Sequence, residues 1–265
     1  MSLVVQISDP HFGTERPDVV AALHEAIVSL RPGLVILSGD LTQRARRSQF
    51  AAARRFVDGY ALPTLVIPGN HDVPLFNLFA RAFDPFGNYR RAFGRDLEPV
   101  FEDAEVLAIG VNTVRPARHK NGEVSDAQIE RVSTRLRCAS GSQLRIVVTH
   151  QPVHVIREKD VRNLLINRER AVAAWAEAGA DLVLGGHIHL PYVRPLGSET
   201  QKLARLLWSV QAGTAVSKRI REGISNSFHA IRRDSAGECT VEQWDYDEAA
   251  RWFHAGSRTS IPLQP

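Results

Sequence analysis

Lysine is almost missing from this chain: of 33 basic residues, only Lys120, Lys159, Lys202 and Lys218 are lysines. The basic side chains are nearly all guanidiniums, spread along the chain rather than gathered into a stripe. With a formal net charge of +4, that pattern argues against a nucleic-acid partner and leaves a mild field favouring phosphate-bearing ligands. Cysteine is scarcer still, and Cys138 and Cys239 lie far apart with no ligand spacing between them. That excludes a structural thiolate zinc site or an iron–sulfur cluster; two buried thiols in a reducing cytosol are expected instead. No apolar run approaches the roughly 20 residues that span a bilayer. Nor does the start read as a signal peptide, because the apolar residues 3–7 run straight into Asp9. The expectation is a cytoplasmic protein without a membrane span. Repeats, low-complexity tracts and linkers are also lacking, so residues 1–265 read as a single domain.

What the chain does have is an alternation of short apolar runs and helical patterns. Residues 3–8, 34–38, 64–68, 106–111, 144–149 and 181–184 read as buried strands. Val19, Val20, Leu23, Ile27 and Leu30 recur at helical spacing behind Pro17, and further helices are expected through 50–57 and around 171–178. Ser125 and Gln128 form a capping-box pattern that opens another helix. After His189 the texture changes. Runs at 206–210, 227–231 and 240–244 are separated by turn-rich loops with no helical crossover, which predicts antiparallel strands. The fold class is α/β.

Five of these segments end in the same chemistry: Asp9 and His11, Asp40, the run Asn70, His71 and Asp72, then His150, then His187 and His189. In open α/β sheets the loops beyond the carboxyl ends of the strands converge on one crevice. Residues far apart in sequence can therefore meet there. Placing Asn, His and Asp in succession after a buried strand has no packing rationale. Gly185 and Gly186 allow close backbone approach, and the alternation of His187 and His189 sets two imidazoles on one side of an extended segment. Carboxylates, imidazoles and one amide oxygen, without thiolates, suit Mn, Fe or Zn.

On these residues the chain resembles the calcineurin-like metallophosphoesterase superfamily, whose pattern is D-x-H, G-D, G-N-H-D or G-N-H-E, H and G-H-x-H. The likeness runs from Asp9 to His189, about two-thirds of the chain, with every position filled. It implies a four-layer αββα sandwich of mixed sheets. The motif core would occupy residues 1–195, and antiparallel strands in 200–265 would complete the sandwich or add a dimer surface. It implies two divalent or trivalent metal ions, one held by Asp9, His11 and His189 and the other by Asn70, His150 and His187, with Asp40 bridging. It implies a phosphodiester hydrolase in which a metal-bridging hydroxide attacks phosphorus in line. His71 would be the catalytic imidazole acting on the leaving group, Asp72 a carboxylate orienting it or capping a turn, and Asn70, His71 and His154 substrate contacts.

Departures from the family's subgroups narrow the expectation. After Gly39 and Asp40 the chain lacks the Asp-Arg-Gly of phosphoprotein phosphatases, and His71 stands where lipid pyrophosphatases usually carry Arg. Little length remains after His189 for the capping region of the double-strand-break nucleases. Gly39-Asp40-Leu41-Thr42-Gln43 and His150-Gln151-Pro152 look like the bacterial class III cyclic-nucleotide phosphodiesterases. A small phosphodiester, such as a 3′,5′-cyclic nucleotide, is the expected substrate; a phosphomonoesterase, a nucleotide or lipid pyrophosphatase and a non-catalytic scaffold are the alternatives. A homo-oligomer is compatible with the pattern. The aromatic segment 76–93 (Phe76, Phe79, Phe83, Phe86, Tyr89, Phe93) suits either packing or stacking against substrate. The Arg-rich segment 157–170 suits either a solvated helix or a phosphate contact.

Overall fold

The computed structural model describes residues 2–197, 203–234 and 236–264. One six-stranded sheet carries β1 (Ser2–Ile7), β2 (Leu34–Ser38), β3 (Thr64–Ile67), β10 (Ser227–Arg233), β11 (Cys239–Asp247) and β12 (Trp252–Ile261), in the order β12-β11-β10-β1-β2-β3. The other carries β4 (Val100–Glu102), β5 (Val106–Gly110), β6 (Leu144–Val148), β7 (Leu182–Gly185), β8 (Tyr192–Pro195) and β9 (Trp208–Gln211), in the order β4-β5-β6-β7-β9-β8. Within the first sheet β1, β2 and β3 run parallel, as do β5, β6, β7 and β9 in the second.

The continuous apolar runs follow from burial on both faces. Val4, Leu34, Ile36, Leu65 and Ile67 of the first sheet meet Val106, Ala108, Leu144, Ile146 and Leu184 of the second in the central layer. The alternate residues Val5, Ile7, Val35 and Leu37 pack outward under α1 (Pro17–Leu30) and α2 (Arg47–Asp58), through Leu23, Ile27, Phe50 and Phe56. On the opposite side Leu107, Ile109, Val147 and Val183 pack under α5 (Asp126–Arg137) and α6 (Arg168–Glu177), through Ile129, Val132, Leu136 and Trp175. The period-2 alternation of side chains thus sorts each strand between two apolar layers. The result is helix, sheet, sheet, helix, as the resemblance implies. Pro17 opens α1, and Ser125 and Gln128 cap α5 reciprocally: the Ser125 hydroxyl accepts from the Gln128 N–H at 3.2 Å, and the Gln128 side chain accepts from the Ser125 N–H at 2.9 Å.

Three expectations are corrected. Residues 206–210, read as antiparallel, contribute β9, which runs parallel to β7 and antiparallel to β8. The strand β8 itself carries the chain back across the sheet, so no helix is needed for β9 to re-enter in the parallel sense. Cys239 is buried in the central layer, but Cys138 is exposed at the end of α5. The aromatic segment divides between α3 (Leu78–Phe83) and α4 (Gly87–Phe93): Phe86 and Tyr89 are buried, whereas Phe76, Phe79 and Phe83 are 79%, 74% and 76% exposed. Residue 200, where the C-terminal part was expected to begin, lies outside the described residues. Among the described residues no helix is long and apolar enough to cross a membrane.

Candidate metal centre

Each of the five predicted clusters follows the carboxyl end of a parallel strand: Asp9 after β1, Asp40 after β2, Asn70 after β3, His150 after β6 and His187 after β7. The backbone there is unusual. Asp9, His11, Asp40, His187 and His189 all have positive φ, between 46° and 71°. A left-handed backbone costs a non-glycine residue about 1 kcal/mol or more, and such residues gather where the fold holds side chains at a site. Gly39, also left-handed at φ +94°, lies so close beneath His150 that a Cβ would sit 2.4 Å from the ring. A Cβ on Gly186 would meet an Asp9 carboxylate oxygen at the same distance. These glycines let the ligand loops approach one another.

Three sets of donor atoms each fall within 4.8 Å: Asp9, His11 and His189; His11, Asp40 and His71; Asp40, His150 and His187. Asp40 and His11 each belong to two sets, so the sets form one continuous cluster. Asn70 joins it, its Oδ1 lying 3.2 Å from His150 Nε2. Eight of the predicted residues are therefore brought together.

Backbone carbonyls set the imidazoles. The Nδ1 atoms of His150, His189 and His71 lie 2.8, 2.7 and 3.0 Å from the carbonyl oxygens of Ser38, Arg219 and Gln43. A proton on Nδ1 satisfies each carbonyl and turns the Nε2 lone pair inward, the arrangement that tunes an imidazole ligand. Asp9 is aimed the same way. Its Oδ2 accepts from the Ser8 hydroxyl at 2.6 Å and the His187 N–H at 2.9 Å, leaving Oδ1 toward His189 at 3.2 Å. Asp40 Oδ1 accepts the His71 N–H at 2.8 Å and faces His150 Nε2 at 3.3 Å.

The electrostatics suit cations. Burial alone would raise the Asp9 and Asp40 carboxyls, but His189 beside Asp9, and His150 and His71 beside Asp40, hold both well below the usual carboxylate range. Burial pushes His11 down to about 3 against the pull of Asp40 and Asp9, and burial with the neighbouring His150 pushes His187 down to about 3. His150 goes the other way: despite burial, the Asp40 and Asp9 carboxylates raise it to about 9. The ionised carboxylates and the neutral imidazoles of His11 and His187 are in the protonation states that metal binding requires, whereas His150 gives up a proton when a cation takes its place beside Asp40. Two further observations fit metal ions. Both ring nitrogens of His187 are buried without a hydrogen-bond partner, and His11 Nε2 and His189 Nε2 stand 3.1 Å apart. At that separation the two nitrogens share either a proton or a cation.

Of the two remaining predicted residues, Asp72 takes the turn-capping role and His154 stands outside the cavity. Asp72 does not touch the His71 ring. Its carboxylate, 1% exposed, accepts the N–H groups of Leu41, Thr42 and Gly69 at 3.0, 2.9 and 2.9 Å and the Thr42 hydroxyl at 2.9 Å. It clips the Asp40 loop to the Asn70 turn. His154 is half-buried with its ring against Tyr192, and its carbonyl accepts the Tyr192 hydroxyl. It is not among the residues lining the cavity beside the cluster.

That cavity measures about 780 Å³ and is bordered by Asp40, Asn70, His71, His187 and His189. Sequence reasoning missed Arg219, in the loop after β9, whose guanidinium lies 3.1 Å from His71 Nε2 and 3.3 Å from the Gln43 side chain. An isolated Arg in a turn carries no motif signal. His119 also lines the cavity, as does Arg162 from the Arg-rich segment.

Comparisons with known proteins agree with this arrangement. The pattern that defines calcineurin-like phosphoesterases matches residues 2–191. The chain is 28% identical over 200 residues to a probable glycerophosphodiester phosphodiesterase of Arcobacter nitrofigilis, covering 71% of each chain. It is 25% identical over 209 residues to a probable cyclic nucleotide phosphodiesterase of Synechococcus, covering 74% of this chain and 77% of that one. A dimetal phosphatase from Danio rerio superimposes over 99% of both chains with a TM-score of 0.67 at 13% identity, a likeness of fold. With the match extending from β1 past His189, and with the Asp and His donors meeting where two sheets open together, the chain belongs to the calcineurin-like phosphoesterase family, as a dinuclear metal-dependent phosphoesterase.

Proposed function

We propose that this chain hydrolyses small phosphodiesters whose alcohol arm is compact and polar. The observation that carries this reading is the cavity wall: among the described residues it holds no aromatic residue apart from histidines, and its apolar lining is limited to Val73, Leu75, Ile188 and Ile220. A nucleobase is commonly held by a stacked ring, and Phe76, Phe79 and Phe83 do not line the cavity. The wall therefore favours a polyol diester over the 3′,5′-cyclic nucleotide expected from sequence. The relative named as a glycerophosphodiester phosphodiesterase supports the same choice.

Asp9, His11 and His189 would hold one metal ion and Asn70, His150 and His187 a second, with Asp40 shared; Mn, Fe or Zn suits these donors. Bound there, the ions would polarise the phosphoryl oxygens and acidify the attacking water. The protein's own groups do the rest. The Gln43 carbonyl fixes the His71 ring with Nε2 toward the cavity. In the free site Arg219 donates to that nitrogen, and a phosphoryl group entering between them would draw the guanidinium to its oxygens. His71, then protonated at Nε2, would deliver the proton to the departing alkoxide. Arg219 would stay against the phosphoryl charge.

The test is hydrolysis by the Mn²⁺-loaded protein of glycerophosphoethanolamine, 3′,5′-cyclic AMP, an aryl phosphodiester and an aryl phosphomonoester, each with a chelator control. The glycerol diester should give the highest kcat/KM and chelation should abolish all turnover. Preference for the monoester would overturn the reaction class, and preference for cyclic AMP would overturn the reading of the alcohol arm.

His71→Ala separates proton delivery from metal binding, although His71 also sits in one of the donor sets. On this reading the variant keeps its metal content by elemental analysis. It loses roughly 10²- to 10⁴-fold in kcat on an alkyl diester and far less on a nitrophenyl diester, whose leaving group needs no proton. Loss of metal, or an unchanged rate on the alkyl ester, would remove His71 from this role.

A further inference from the structure

About half of the described cations have a carboxylate partner, among them Arg16 with Asp18 and Glu248, Arg54 with Asp58, Arg118 with Glu123 and Arg131 with Glu98. The cavity stands out by its balance, seven cations against the two carboxylates of Asp40 and Asp160 among the described residues. Lys120, Arg162 and Arg219 line it from three separate segments, and none has a carboxylate partner among the described residues. Of the others, Arg221 is held by Asp160 at 2.9 Å and Lys159 pairs with Glu222. These groups crowd one another. Burial lowers the Lys120 ammonium, and Arg162, Arg219 and Arg221 press it lower still, with Asp160 opposing. Lys120 also lies near enough to the metal cluster for its charge to bear on His187.

The proposed reaction accounts for only part of this charge. A diester brings one negative charge to the metal cluster, where Arg219 lies beside His71. Lys120 and Arg162 remain, facing an open cavity whose nearby carboxylate, Asp160, is already taken by Arg221. Like charges gathered around one cavity repel, modestly at exposed groups such as Lys120 and Arg162, and an anion lying between them turns that repulsion into attraction, Arg offering a two-pronged contact and Lys a point charge.

We infer that Lys120 and Arg162 form a second anion subsite, which takes a phosphate group carried on the alcohol arm of the substrate. The preferred substrate is then a diester with an additional terminal phosphate. This rests on the phosphodiesterase reading above and sharpens it, because neither a cyclic nucleoside monophosphate nor an uncharged glycerol arm would fill the subsite.

A matched pair of substrates tests it: butyl 4-nitrophenyl phosphate and 4-phosphonobutyl 4-nitrophenyl phosphate, which differ only in a terminal dianion that cannot itself be hydrolysed. With Mn²⁺-loaded protein the phosphonobutyl diester should show kcat/KM about tenfold higher or more, chiefly through KM. The gap should narrow as salt is raised. In the Lys120→Gln/Arg162→Gln double variant the ratio between the two substrates should fall to about one. Calorimetric titration gives a readout apart from turnover: butane-1,4-bisphosphonate should bind more tightly than butylphosphonate, and lose that advantage in the variant. Equal kcat/KM for the two diesters in the unmodified protein, or a ratio the double variant leaves intact, would overturn the subsite while the phosphodiesterase reading stands. Failure to hydrolyse either diester would overturn that reading, and the subsite with it.

Discussion

Asp40→Asn is expected to strip both metal ions from the protein and to lower turnover of an aryl diester roughly a thousandfold or more, well beyond the 10–100-fold that follows loss of a hydrogen bond behind a ligand. The substitution is chosen for what it keeps. The amide oxygen can still accept the His71 N–H that Asp40 Oδ1 accepts at 2.8 Å, so the turn at Asn70 survives. What disappears is the charge. Asp40 is 2% exposed and contributes to two donor sets, one with His11 and His71 and one with His150 and His187. A neutral amide there leaves each prospective ion without its shared carboxylate, whereas His187→Asn should weaken one ion and spare the other. Elemental analysis after extensive dialysis separates the two cases. If Asp40→Asn retained two equivalents of metal, or turned over within tenfold of the unmodified protein, Asp40 would not be the shared ligand.

The sequence made the ligand cluster legible because each member stands at the end of a strand buried on both faces. Such strands read as unbroken apolar runs, as in residues 34–38, and the first polar residue beyond them marks a strand end. Chain order and α/β geometry then bring Asp9, Asp40, Asn70, His150 and His187 to one crevice. The cationic wall was only partly marked. Arg162 belongs to the Arg-rich segment and lies in a short 3₁₀ turn, Glu158–Asn163, but Lys120 and Arg219 lie on loops whose convergence with it is entirely tertiary, and an isolated basic residue in a loop reads as solvated surface. The direction of β9 was hidden for a related reason: it depends on where β8 lies, not on the residues of β9. The strand β12 was missed because Trp252–Ile261 pairs only with β11 at the sheet edge and is exposed along most of its length, so it has no apolar run to read. For Asp72 the sequence left two roles open, orienting His71 or capping a turn, because the backbone N–H groups that decide between them leave no trace in a sequence.

The capping role yields the second large effect. Asp72→Ala is expected to destabilise the fold by roughly 3 kcal/mol or more, because it leaves the N–H groups of Leu41, Thr42 and Gly69 and the Thr42 hydroxyl without their acceptor. Each buried donor left unsatisfied costs about 1–3 kcal/mol, and local relaxation or an entering water recovers part of the sum. At about 2–4 °C per kcal/mol for a chain of this class, the melting temperature should fall by roughly 6–12 °C. Asp72→Asn should be little better. Its Oδ1 can still serve Thr42, but its amino group would face the N–H groups of Leu41 and Gly69 that now donate to Oδ2, setting donor against donor. Turnover should fall about 10–100-fold with metal still bound at saturating concentration, because the loops bearing Asp40 and His71 lose the clip that sets their relative position. A carboxylate acting only by orienting His71 would behave differently. In a His71→Ala background it would have nothing left to orient, and adding Asp72→Ala would change little. A clip that holds two loops together should cost the same melting temperature with or without the His71 ring, since its partners are backbone groups outside the imidazole. An Asp72→Ala penalty that vanished once His71 was removed would restore the orienting role and sink the clip.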